Sequence, residues 1–231
     1  MHATNKAVIP LRDNVPTRTF PIITVTLLVV NTLVFVYAAF MPVGEEAAFV
    51  TRYGLVPREL LVSLRHRQEL LPYNLLTLLT SMFLHGGVFH LGGNMLYLWI
   101  FGNNIEDSMG HARFVLFYAL SGVAAALCQF VYDPASELPM VGASGAVSGV
   151  LGAYLLLFPY ARIKTLIFIF IFITTVELPA IVLLTIWFFM QVLFSHTQGV
   201  AWFAHIGGFL FGLITIRLFT LGKARARPAR R

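Results

Sequence analysis

The sequence predicts an all-α membrane protein, a bundle of six transmembrane helices, and three observations lead there. Hydrophobic residues make up 58% of the 231 residues and charged residues only 11%, against roughly 25% charged in a soluble domain, and the mean hydropathy is +0.80. The apolar residues fall in runs near the length a membrane crossing requires, roughly 20 helical residues for about 30 Å of hydrocarbon. The charges lie in the connections and tails between those runs. One water-facing globule could not hide so much apolar surface.

The first span is residues 20–41, from Phe20 to Met41, with no charge. A long connection, 42–80, follows. It holds Glu45, Glu46, Arg52, Arg58, Glu59, Arg65, Arg67 and Glu69 among leucines at helical spacing, and reads as amphipathic and interfacial. The next spans are 88–105 and 112–132. A fourth starts at Ser144 and stops at Pro159, and a fifth occupies 178–195, after the interruption at Glu177 and Pro179. The last is 201–221. Residues 1–19 form an N-terminal segment and 222–231 a basic tail, with the membrane domain at 20–221.

The charges test that count. With the N-terminus inside, Lys6, Arg12, Arg18, Arg113, Arg162, Lys164, Arg217 and the tail residues Lys223, Arg225, Arg227, Arg230 and Arg231 are all cytoplasmic. The short outer connections 133–143 and 195–200 carry no Lys or Arg. An even number of crossings therefore obeys the positive-inside rule, whereas an odd number puts one basic end outside. The net charge of +6 thus reads as topology and lipid contact, and no nucleic-acid partner is expected. Cys128 is the sole cysteine, which excludes an internal disulfide and a cysteine-rich metal site. Residues 1–19 are polar and the first apolar stretch lacks a cleavage site, so a removed signal peptide is not expected.

Polar side chains inside an apolar bundle are costly and point to function. Val141-Gly142-Ala143-Ser144-Gly145 opens the fourth helix. The 16 residues from Ser144 to Pro159 make about 24 Å of helix, too short to cross alone, so Ser144 should lie below the outer surface. A serine beside unpaired helix N-terminal N–H groups suits a nucleophile whose oxyanion needs donors. Taken alone, the motif fits an N-cap serine in a small-residue packing motif better.

Ala204-His205-Ile206-Gly207-Gly208 places a histidine on the last helix, with acid–base chemistry suited to activating a serine. The stripes Gly208/Gly212 and Gly145/Gly149/Ala153 let two helices approach closely, as a Ser–His hydrogen bond requires. A histidine bonded to a backbone carbonyl is the plainer alternative. His90 and Asn94 share one helix face and both can donate to an oxyanion, whereas His85 points elsewhere on a continuous helix. No HExxH motif occurs, and no Asp or Glu falls beside these histidines to complete a metal site. Asn103, Asn104, Glu106 and Asp107, at the inner end of the second helix, read as solvated or capping groups.

Together, HGGVFHLGGN (85–94), NIEDSMG (104–110), GASGAVSGVLGAY (142–154) and AHIGGFLFG (204–212) resemble the rhomboid family of intramembrane serine proteases. The motifs occur in the family's order, and the six-helix layout extends the likeness over nearly the whole chain. The resemblance implies a dyad of Ser144 as nucleophile and His205 as general base and then acid. It implies that His90, Asn94 and the Ser144 backbone N–H stabilise the oxyanion. It makes His85, Glu106, Gly142, Gly145, Gly208 and Gly212 structural, and needs no metal and no cofactor. Its partners are membrane lipids and transmembrane protein substrates, its setting a bacterial inner membrane with both termini cytoplasmic. Two departures stand out. Leu76 and Thr77 occupy positions where the family often has Trp-Arg, and Ser148 occupies one where some members stack a tyrosine under the histidine. A non-catalytic rhomboid-like binder and a small-solute transporter are the other classes considered. The first usually lacks the serine or histidine, and the second is disfavoured by the absence of an internal repeat.

Overall fold

The computed structural model of the chain describes residues 8–42, 44–169, 172–193 and 200–222. The basic tail beyond residue 222, Lys6 and most of the 195–200 connection lie outside the described residues. Helix α1 (Ile22–Ala39) carries the first apolar run. Its buried residues are Thr24, Asn31 and Ala38, spaced by seven, while Val29, Val30, Leu33, Val36 and Tyr37 are exposed. A helix that hides its polar stripe and presents its large apolar side chains outward is suited to lipid. Helices α1, His111–Tyr132 and Trp202–Phe219 are each long and apolar enough to cross a membrane. The chain is accordingly a multi-pass membrane protein.

The connection expected to be amphipathic forms helices α2 (Glu45–Tyr53), α3 (Pro57–Arg65) and α4 (Leu71–Thr80). Leu55, Leu60 and Leu78 bury themselves against Ala126 of the next long helix in a small cluster of their own. Leu55 also exchanges two backbone hydrogen bonds with Met140 (3.1 and 2.8 Å), which ties this connection to the loop before Ser144.

Helices α5 (Val88–Tyr97) and α6 (Asn103–Met109) join through a π-helical turn, Leu98–Gly102. The helical segments 68–83 and 88–109 meet at an 83° bend. The helical segment expected as the second span therefore reaches Met109, and of the two roles expected for the polar cluster at its end, solvated or capping, capping is the one observed. Glu106 is fully buried. Its carboxylate accepts hydrogen bonds from the N–H groups of Ile23 (2.9 Å) and Thr24 (2.8 Å) and from the Thr24 hydroxyl (2.7 Å). It is the cap of α1, meeting orphan first-turn N–H groups with a negative charge at the positive end of the helix. Asp107 holds Thr19 just upstream in the same way.

Helices α7 (His111–Tyr132), α8 (Ser144–Leu157), α9 (Ala180–Leu193) and α10 (Trp202–Phe219) complete the bundle. Every residue of α8 from Gly145 to Tyr154 is buried. A helix apolar all round belongs at the centre, and α7 and α10 flank it.

The all-α expectation needs correction. Strands β1 (Val8–Arg12), β2 (Arg162–Ile169) and β3 (Phe172–Pro179) form an antiparallel sheet in the order β1-β2-β3. The expected fifth span, 178–195, leaves out most of this sheet, but the apolar residues 165–176 announce no strand, because an apolar run does not by itself distinguish strand from helix. The deciding features are alternation, with Ile163 and Thr165 buried on either side of the less buried Lys164, and a high content of β-branched residues. In register, Lys164 faces Glu177, a favourable cross-strand pairing of charges. The fifth helix accordingly starts at Ala180, where the Ala161 and Pro159 carbonyls accept from the N–H groups of Ala180 and Ile181 (both 2.8 Å).

The segment after β1 is anchored near the C-terminal end of α8. Asp13 accepts from the Tyr154 hydroxyl at 2.5 Å and from the Asn104 amide. Burial pushes the Asp13 carboxyl up to about 6, against the downward pull of the Tyr154 hydrogen bond. A raised carboxyl favours the protonated folded state, so this contribution is present below pH about 4 and is lost as pH rises through about 6. Thermal unfolding of the detergent-solubilised protein should show a stabilisation from pH 7 to 5 that Asp13→Asn removes. Identical pH slopes in the two proteins would refute this.

Candidate active site

One open cavity of about 1060 Å³ is walled by α5, the loop before α8, α8, α9 and the start of α10. Ser144, His205, His90 and Asn94 all line it. His85 lies behind it, buried, its ring 5.1 Å from that of His90.

Ser144 is the first residue of α8, after a loop turned by Gly142 at φ +122°. A Cβ on Gly142 would stand 2.7 Å from the His90 ring and 3.6 Å from Ser144 Oγ. The missing side chain thus leaves open the space between His90 and Ser144, and the positive φ independently favours glycine. The Gly142 N–H donates to the Ser81 carbonyl (2.9 Å), pinning the loop to the end of α4.

His90 and Asn94 sit a turn apart on α5. The Gly86 N–H lies 3.4 Å from His90 Nδ1, a long contact that makes Nδ1 the acceptor and leaves the proton on Nε2, which faces Gly142. Asn94 is buried, and its Nδ2 has no hydrogen-bond acceptor among the described residues. Buried donors are seldom left unpaired, and one in a cavity wall is available to an incoming oxyanion.

His205 lies in the first turn of α10. Close packing brings α10 to α8: a Cβ on Gly208 would strike the Gly145 carbonyl, one on Gly212 the Gly149 carbonyl, and one on Gly152 the Phe209 carbonyl. The first two contacts match the expected stripes, while Gly152 is an additional member. On its other side α8 meets α7, with Gly145 against Ala125 and Gly149 against Ser121.

Two amides in the wall carry no motif. Gln191 of α9 lies with its Oε1 2.8 Å from His205 Nδ1. Gln129 of α7 accepts from the Phe203 N–H (3.1 Å), capping the first turn of α10. Each is a polar side chain within an apolar run, which is the one signal the sequence offers for them. Ser148 directs its hydroxyl to the Ser144 carbonyl (2.6 Å). Of the other expected structural residues, Glu106 caps the start of α1 and lies outside the cavity.

The family model described as "Rhomboid domain" matches residues 72–221. Among similar proteins, the mitochondrial Rhomboid protein 1 of Saccharomyces cerevisiae is 38% identical over 97 residues, covering 40% of this chain and 28% of the relative. Rhomboid protease GluP of Bacillus subtilis is 44% identical over 78 residues, covering 34% and 15%. The mitochondrial presenilin-associated rhomboid-like protein of Mus musculus is 34% identical over 145 residues, covering 59% and 36%. The chain therefore spans well under half the length of these relatives.

Proposed function

The chain belongs to the rhomboid family, and from that premise we propose that it is an intramembrane serine endopeptidase, cleaving peptide bonds in or beside transmembrane segments of other membrane proteins. The observation that carries this reading is the shared cavity. A serine at a helix N-terminus and a histidine on a helix held against it by glycine contacts line it together, with His90 and Asn94 on the adjoining wall.

In the proposed reaction His205 Nε2 takes the Ser144 Oγ proton as the oxygen attacks the substrate carbonyl carbon. The resulting oxyanion accepts from His90, Asn94 and the Ser144 backbone N–H. His205 then delivers the proton to the departing amine, leaving an ester on Ser144. Water, deprotonated by His205, hydrolyses that ester and restores the serine. The machinery needs no metal or organic cofactor. The dyad's position near one end of the short helix α8 fits a wet pocket sunk below the membrane surface.

Alongside the three long helices, α5 with α6, α8 and α9 supply the remaining crossings of a six-span bundle. In this reading both termini lie on the cytoplasmic side of a bacterial inner membrane, which the placement of the basic residues supports. Residues 1–19 and 222–231 are the cytoplasmic segments. Lipid surrounds the bundle, and transmembrane proteins are the substrates.

Co-expression with a panel of single-span reporter proteins tests the reading. The wild-type chain should release fragments that Ser144→Ala does not. Cleavage by Ser144→Ala at the wild-type rate would exclude Ser144 as nucleophile.

A further inference from the structure

Helix α9 has the sequence AIVLLTIWFFMQVL, and Gln191 is its one amide. Gln191 is 8% exposed, in a segment where a polar group is costly unless both ends are satisfied. Both ends have partners. Nε2 donates to the Trp187 carbonyl at 3.1 Å, one turn back, and Oε1 lies 2.8 Å from His205 Nδ1.

The two contacts determine each other. Reversing the amide would set its oxygen against the Trp187 carbonyl, two acceptors without a proton between them. With Nε2 committed to Trp187, the atom facing the imidazole is an acceptor, and it requires a hydrogen on His205 Nδ1. The neutral imidazole then carries its lone pair on Nε2. The Trp187 and Trp202 rings stand 6.3 and 6.0 Å from the imidazole and limit its rotation. Ser148 offers the ring no support, because its hydroxyl is bonded to the Ser144 carbonyl.

We propose that Gln191 is a positioning residue for His205: its side-chain oxygen holds the imidazole in the Nδ1–H tautomer and aims Nε2 at Ser144, so that the dyad works as a Ser144–His205–Gln191 relay. The proposal rests on the protease reading. It adds to that reading a neutral third member, which orients the base and strengthens its hydrogen bond as the imidazole becomes charged in the reaction. An amide does this without placing a permanent charge in the membrane interior. Among the described residues, the other titratable side chains around the cavity are His90 on α5, Tyr97 at its end, and Tyr132 and Asp133 at the end of α7. Cys128 of α7 stands beside Gly207.

The full-length protein in lipid nanodiscs provides the test. Gln191→Leu, similar in size but without an acceptor, should lower kcat roughly 10- to 100-fold, the worth of one hydrogen bond to a charged group, with KM within about twofold. Gln191→Glu restores an acceptor. It should recover part of kcat, its second oxygen having no proton to give the Trp187 carbonyl, and move the acid limb of the kcat–pH profile upward, because an added negative charge favours the imidazolium. In the Ser144→Ala background, 15N spectra of histidine, assigned by difference with His205→Gln, should show His205 protonated at Nδ1, and Gln191→Leu should abolish that preference. The spectra do not depend on turnover. A His205 signal protonated at Nε2, or unchanged by Gln191→Leu, overturns the positioning role even if the dyad is correct. Cleavage surviving in Ser144→Ala overturns the protease reading while leaving the tautomer result intact. Should Gln191→Leu fail to fold, an unmoved acid limb in Gln191→Glu refutes the contact.

Discussion

His205→Ala is expected to lower cleavage of a single-span reporter by about 10⁴-fold or more and to prevent labelling of Ser144 by a fluorophosphonate probe. Serine at its ordinary pKa is a weak nucleophile and requires a positioned base. Among the described cavity residues, the other imidazole is His90, whose Nδ1 faces the Gly86 N–H and whose Nε2 faces Gly142 as a donor. His90 cannot deputise as base without giving up that tautomer. The loss should be chemical rather than structural. His205 is half-buried at a cavity wall, and the glycine contacts that hold α10 to α8 involve Gly208 and Gly212, not the imidazole. Thermal unfolding of His205→Ala in detergent should therefore show a loss of stability no larger than the lost Gln191 hydrogen bond implies, about 1–3 kcal/mol, while labelling disappears. Undiminished labelling would rule out His205 as the activating base.

The parts of this site legible in the sequence share one property. Ser144, His205, His90 and Asn94 are polar groups in apolar surroundings, and each belongs to a local pattern: glycine stripes beside Ser144 and His205, a shared helix face for His90 and Asn94. Gln191 and Gln129 satisfy the first condition and not the second. No motif surrounds them, and their roles exist only because α9 and α7 lie beside α10. For Glu106 the sequence identifies the correct end of the helix but not the burial. That burial follows from a partner, the N-terminus of α1, some eighty residues earlier, which no local pattern reveals. The sheet is illegible for the same kind of reason. Residues 165–176 are an apolar run that by itself shows neither strand nor helix, and what makes 162–179 a sheet is the pairing of β2 with β3 and with the distant strand 8–12. Tertiary pairing outweighs hydropathy there, whereas in α1, α7 and α10 length and composition suffice.

Gly212→Ala should destabilise the protein and silence the site together, although by helix propensity alone it should help. Alanine is favoured over glycine in a helix interior by about 1 kcal/mol. Against that, a Cβ at residue 212 would stand 2.6 Å from the Gly149 carbonyl carbon and 2.8 Å from its Cα, and closer still to its oxygen. These are backbone atoms of a buried helix, which no side-chain rotation can clear. The helices must separate, and overpacking of this kind costs about 1–3 kcal/mol and at times more. The steric term outweighs the propensity term, so a lower unfolding temperature is expected. Separation also widens the gap between α8, which carries Ser144, and α10, which carries His205, and a displacement near 1 Å can cost about 100-fold in rate. Gly92→Ala is the matched control. That glycine is also helical, but nothing lies within 4 Å of the point its Cβ would occupy, so propensity acts unopposed and the unfolding temperature should hold or rise. If Gly212→Ala unfolds no earlier than Gly92→Ala and labels with the probe as fast as wild type, then the close approach of α8 and α10 is not what holds serine and histidine together.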